Sequence, residues 1–167
     1  MPILVVDYDP HWPEVFEGEA ARIRASLGRL ALRIEHTGST SVPGLAAKPI
    51  IDIVLVVDDS ATENEYVPAL EAAGYRLSIR EPNWYQHRMF KGPEADINLH
   101  VFSSGCEEIE RMLRFRDWLR GNPADCDLYA RTKLALARKD WKHVDDYADA
   151  KTTVIREILA RADASLG

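Results

Sequence analysis

The sequence predicts an α+β protein: a mixed β-sheet with helices packed on it, three of them at the carboxy terminus. Short apolar runs rich in β-branched residues, bounded by Gly, Pro and Asp, recur as far as Phe102, with two helical segments among them. From Glu107 onward apolar residues recur at helical spacing instead. The length of 167 residues suits one shared core, so a single domain spanning 1–167 is expected. A chain of this size buries roughly 70% of the surface its unfolded form exposes, so it needs no disulfide or zinc staple.

The elements follow in order. Ile3–Val6 is a short strand. Asp9 and Pro10 supply a cap and a first-turn proline for a helix whose apolar positions Trp12, Val15, Phe16, Ala20 and Ile23 run to Leu27. Ala31–His36 is a second strand, feeding a loop bounded by Gly38 and Gly44. Ile50–Val57, between Pro49 and the pair Asp58-Asp59, is a central strand. Residues 63–73 make a helix that stops at Gly74. Tyr75–Ile79, Gln86–Lys91 and Ala95–Phe102 are strands at hairpin spacing, with Gly92-Pro93 turning the last pair. Glu107–Arg120, Ala124–Arg138 and Val144–Ala162 are the closing helices, the first two parted by Gly121-Asn122-Pro123.

Composition narrows the partners. The two cysteines, Cys106 and Cys126, sit in no CxxC or Cys/His zinc spacing, which suits reduced thiols in a cytoplasmic protein. The opening MPILVVDYD has no basic segment before its apolar run, and Ile53–Val57 is too short to span a bilayer. No membrane partner is therefore expected. A net charge of −6 makes a long nucleic acid a poor partner, whereas a small phosphorylated ligand needs only a few placed cations.

The residues suited to chemistry concentrate between His36 and Asp52. Gly38 lets the backbone approach a ligand closely, and Ser39, Thr40 and Ser41 offer successive hydroxyls and N–H groups of the kind that grip phosphate. Lys48 adds a cation, and Asp52 interrupts an apolar strand, where a carboxylate is rare unless paired or metal-bound. A purely structural turn, with Asp52 bonded to its N–H groups, accounts for the same residues. Strand alternation puts Asp96, Asn98 and His100 on one face, either wet or lining a site. Tyr129 with Lys133 and Tyr147 with Lys151 are i,i+4 pairs, each sharing a helix face, and Arg114, Arg116 and Asp117 crowd a third helix. These side chains serve either as anion clamps or as ordinary surface pairs. No HExxH, GxSxG or Walker A pattern is present.

The segment HTGSTSVPGLAAKPIIDI closely resembles the signature of the GrpB-like family, whose fold is similar to the nucleotidyltransferase superfamily that includes DNA polymerase β. Asp7–Trp12, Asn98–Phe102, Phe115–Leu119, Tyr129–Lys133 and Tyr147–Lys151 continue the resemblance over nearly the whole chain. It implies a sheet of nucleotidyltransferase type. Superfamily enzymes follow a Gly-Ser pair with two carboxylates, two residues apart on the next strand, that hold two Mg²⁺ ions. Gly38-Ser39 and Asp52 match, but Val54 stands at the second carboxylate.

The resemblance therefore implies one divalent ion, Mg²⁺ or Mn²⁺, on Asp52 and His100, which also act as the catalytic pair. Val54→Asp is expected to strengthen that binding. Gly38, Ser39, Thr40, Ser41, Lys48, Arg116, Lys133 and Lys151 would hold the phosphate of a nucleotide or similar small metabolite, with Tyr129 stacking on a base. His36 flanks the loop and is placed to orient Ser39 or Asp52. The alternative is a catalytically inert binding or regulatory module linked to coenzyme A metabolism, since GrpB-like domains also occur fused to dephospho-CoA kinase.

Overall fold

The computed structural model describes residues 4–94, 96–137 and 144–165. Five strands form one mixed sheet in the order β1-β2-β5-β4-β3. These are β1 (Arg33–Thr37), β2 (Ile51–Val57), β3 (Arg76–Glu81), β4 (His87–Lys91) and β5 (Ile97–Ser103). β1 and β2 are antiparallel, β2 and β5 parallel, and β5, β4 and β3 make an antiparallel meander. The predicted α+β class holds, with each predicted strand from Ala31 onward displaced by only a few residues.

Alternation along β2 explains both layers of the core. Ile53, Leu55 and Val57, with Leu99 and Val101 of β5, pack on Trp12, Ile23 and Leu27 of α1 (Trp12–Leu27) and Leu70 of α2 (Val67–Ala72). On the opposite face Val54, Val56 and Phe102 meet Ile109 and Leu113 of α3 (Glu107–Gly121). A third cluster joins Val42 and Leu45, in the loop after β1, to Leu119, Tyr129 of α4 (Pro123–Ala137) and Ile158 of α5 (Val144–Ala164). That cluster docks the carboxy-terminal helices against the loop.

Three local expectations change. The strand at Ile3–Val6 reduces, in its described part, to a single antiparallel bridge between Val6 and Ala47. α1 starts later than the Asp9-Pro10 signal implied: Asp9 Oδ1 accepts the His11 N–H at 2.9 Å, a local turn, and His11 is the cap. The predicted helix over 63–73 splits into a 3-10 turn at Glu63–Glu65 and the short α2, whose first turn contains Pro68. No helix among the described residues is long and apolar enough to cross a membrane.

Leu99 is fully buried in the central parallel pair. Leu99→Ala should cost about 2–5 kcal/mol in urea denaturation. Leu32→Ala, at a half-exposed position, should stay within about 0.5 kcal/mol.

Candidate functional site

The site starts at the end of β1, where Thr37 lies in register with Asp52. Gly38 then turns the chain at φ 73°, a left-handed conformation that favours glycine. A Cβ there would stand 2.5 Å from Asp52 Oδ2. Glycine is therefore required twice over, by dihedral and by space. The 3-10 turn Ser39–Ser41 follows.

The three successive hydroxyls have different fates. Thr40 Oγ1 donates to the Ile50 carbonyl at 3.1 Å and lies 3.0 Å from His36 Nε2. With that hydroxyl proton committed, His36 must donate, which fixes its tautomer with the proton on Nε2. His36 thus holds Thr40, not Ser39 or Asp52. Its ring stacks on Phe16 at 5.0 Å, and burial, with Arg120 nearby, pushes its pKa down to about 4. Ser41 donates to the Gly38 carbonyl, while its own carbonyl accepts from Arg120. Ser39 Oγ instead accepts from Lys133 Nζ at 2.8 Å.

Ser39, Thr40, Lys48, Ile50, Asp52, Asn98, Lys133 and Lys151 line one cavity of about 100 Å³. Larger hollows exist, one of about 450 Å³ beside Arg33, Glu110 and Arg114. There, however, charges are already matched, as in the Arg33–Glu110 pair at 3.1 Å. Among the described residues, the small cavity sets three lysine amines against one carboxylate. Lys133 is buried, donates also to the Ala46 carbonyl at 3.2 Å and lies over the Tyr129 ring. Burial, then Lys151 and Lys48, pushes its pKa down to about 7. Lys151 is shifted down as well, by burial and by Lys48.

Beside the cavity, His100 Nε2 lies 3.2 Å from Asp52 Oδ1, on adjacent parallel strands. Its Nδ1 is 3.0 Å from His87 Nε2, and His87 Nδ1 is 2.7 Å from Glu81 Oε1. Burial shifts the His87 pKa down. Glu81 and the link from His100 to His87 were not read from the sequence, where His87 with Arg88 reads only as able to face the same sheet surface. The signal was the β3–β4 hairpin, which pairs Glu81 with His87 directly.

Several expected residues lie elsewhere. Arg116 donates to Glu35 and the His36 carbonyl at 2.8 and 3.1 Å, fastening α3 to β1 outside the cavity. Tyr129 is buried in the third cluster, edge-on to Phe115, so it has no face to offer a base. Ser41 is likewise buried and absent from the lining. Asp96 is exposed beside a different hollow, with Arg76 and Lys91. The side chain of Tyr147 lies outside the described residues.

A divalent ion fits this donor set poorly. No group of three His, Cys, Asp or Glu side chains converges among the described residues. Mg²⁺ demands near-octahedral oxygen ligation, and the one carboxylate faces three lysines. Val54 is fully buried in the cluster with Phe102, Ile109 and Leu113. Val54→Asp would place a carboxylate in that apolar layer, so the expected gain in metal affinity does not follow.

A strand ending in Gly-Ser, an aspartate on the paired strand and this mixed sheet define a nucleotidyltransferase-like fold. The Cid1 poly(U) polymerase with Mg 3′-dATP bound shares it, with TM-score 0.50 and 12% identity over 78% of this chain and 44% of that one, a likeness of fold alone. The chain belongs to the GrpB family, whose model, GrpB protein, matches residues 2–161. A UPF0157 protein of Halalkalibacterium halodurans is 62% identical over 163 residues, 98% of this chain and 84% of that protein. The crystal structure of conserved protein GrpB from Enterococcus faecalis superposes with TM-score 0.81 at 34% identity, covering 95% of this chain and 98% of that one. A dephospho-CoA kinase of Mycolicibacterium paratuberculosis is 31% identical over 188 residues; the alignment takes 96% of this chain but only 46% of the kinase.

Two outcomes test the geometry. Gly38→Ala should cost about 2–4 kcal/mol in urea denaturation, through the left-handed backbone and the contact with Asp52. His36 is held below its ordinary pKa, so the unfolded chain takes up its proton first. Its stabilising contribution is complete above pH 6.5 and is lost as pH falls toward 4. Denaturation midpoints should drop across that window, by on the order of 2–3 kcal/mol in all, and His36→Gln should flatten the drop.

Proposed function

We propose that this cavity binds the phosphate group of a small phosphorylated metabolite, a nucleotide being the first class to test. The observation that carries the reading is the convergence of Lys48, Lys133 and Lys151 with Ser39 around a single aspartate. Positive charge on buried Lys133 is costly, as its depressed pKa records, and a bound anion would lower that cost. A volume of about 100 Å³ suits a phosphate group, leaving the rest of the ligand outside. A small ligand also agrees with a surface of net charge −6, and a cytosolic setting with the free thiols of Cys106 and Cys126. In this reading Asp52, backed by His100, takes a proton from a nucleophile, and no step is assigned to a metal.

A second reading is an inert binding or regulatory module linked to coenzyme A metabolism. Two observations favour it: buried Val54 at the second carboxylate position, and the partial match to dephospho-CoA kinase proteins.

A thermal-shift panel of nucleotides, coenzyme A precursors and sugar phosphates, with and without Mg²⁺ or Mn²⁺, tests the binding. At about 100 times Kd a ligand stabilises by roughly 2.7 kcal/mol, a shift of about 5–10 °C for this size of chain. Lys48→Ala should abolish the shift while moving the unliganded midpoint little. A panel with no shift at all overturns the reading. A nucleotide-selective hit that turns over would exclude the inert module.

A further inference from the structure

One pairing in the cavity exceeds what anion binding needs. Thr40 and Ser41 direct their hydroxyls at main-chain carbonyls, whereas Ser39 Oγ faces the Lys133 amine at 2.8 Å. We propose that Ser39 and Lys133 form a nucleophile and general base, and that Ser39 Oγ attacks the phosphorus of an activated phosphoester or phosphoanhydride. The substrate class rests on the anion-binding reading above; the pair itself does not.

A serine hydroxyl is a weak nucleophile and needs a base within about 2.6–3.2 Å. Lys133 stands in that range, and its surroundings let it act as one. A neutral amine has two N–H groups and one lone pair. The Ala46 carbonyl, at 3.2 Å, takes one N–H, which leaves the lone pair free to turn to Ser39 and accept its O–H. Lys133 is packed by charged and titratable groups from every side. Lys48 follows the turn and Lys151 lies on α5, both lowering its proton affinity; Asp52 of β2 and Cys126 of α4 raise it. Burial outweighs all of these, so a substantial fraction of the amine is neutral near pH 7. Lys48 and Lys151 then take a second part, steadying the negative charge that develops on the attacked phosphoryl oxygens.

The step balances without another reagent. The Oγ–P bond forms as the bond from phosphorus to its leaving group breaks. The hydroxyl proton passes to Lys133 Nζ, and the ammonium returns it to the departing oxygen. Water or an acceptor hydroxyl then attacks phosphorus and gives its proton to Lys133, which passes it to Ser39 Oγ as the Oγ–P bond breaks.

A fluorophosphonate probe on the intact, folded protein tests this without any knowledge of the ligand. The same chemistry joins Oγ to phosphorus and expels fluoride, with Lys133 taking the proton. One adduct per chain, mapped to Ser39 by mass spectrometry, is expected, with a rate that rises with pH through about 7. Ser39→Ala should remove it. Lys133→Arg keeps a cation but provides no base near neutral pH, and should slow labelling by at least about 100-fold. No adduct on the unmodified protein overturns the pair; so does an adduct on Lys133 itself, a rate that rises only above about pH 9, or labelling indifferent to Lys133→Arg. If Lys133→Arg fails to fold, Ser39→Ala and the pH profile of the unmodified protein decide. Labelling of Ser39 with no hit in the phosphate panel would keep the pair and discard the anion-binding reading; the converse would discard the pair alone.

Discussion

The contact between Gly38 and Asp52 is the constraint on which the rest of the site depends. The β1–β2 register sets Asp52 against the last residue of β1, and a missing side chain at the next position lets the chain pass over the carboxylate. Because Gly38 can take a positive φ, the chain turns at once into the short helix that presents Ser39. The aspartate, the serine and the loop that follows are thus placed by one backbone event. Lys48 follows on the same segment, whereas Lys133 and Lys151 come from farther away, on helices that reach the loop only through tertiary packing.

The electrostatics follow from that assembly. An acidic protein has gathered three lysine amines where solvent is partly excluded. Neighbouring positive charge and low polarity both oppose protonation of Lys133, and one carboxylate offsets only part of this. The Asp52–His100–His87–Glu81 row runs the other way, beginning and ending in carboxylates with two imidazoles between. Positive and acidic features are therefore segregated within a few residues of one strand end, the kind of polarity that orients an asymmetric ligand.

Much of this was legible in the sequence, for identifiable reasons. Strand alternation at Asn98 and His100 and the interruption of an apolar run by Asp52 follow backbone geometry, so their shared face could be read directly. Lys133 and Lys151 stood out through i,i+4 spacing from a tyrosine and through the motifs that resemble the family's. Arg116 and Tyr129 carried equally good local signals but lie outside the cavity, because each met a stronger partner: Glu35 for the guanidinium, an apolar cluster for the ring. Spacing cannot rank such partners. The chain through His87 and Glu81 was hidden for a different reason, since it depends on hairpin register and strand order at once. The start of α1 was misjudged because Asp9 and Pro10 make a turn with the same residues that would cap a helix.

The apolar cluster behind the loop bears on which ligand the proposed site would take. Val42 and Leu45 meet Leu119, Tyr129 and Ile158, and these contacts hold α4 and α5 against the loop from which Ser39 projects. The span from the loop's hydroxyl to the helix-borne amines is therefore gauged by greasy side chains that never touch a ligand. Small changes of volume there would widen or narrow the gap between the charged jaws while leaving every charge in place. Under the proposed anion-binding role, the calibration of the opening lies in the packing behind it, and relatives with identical polar residues would differ in which anion they admit.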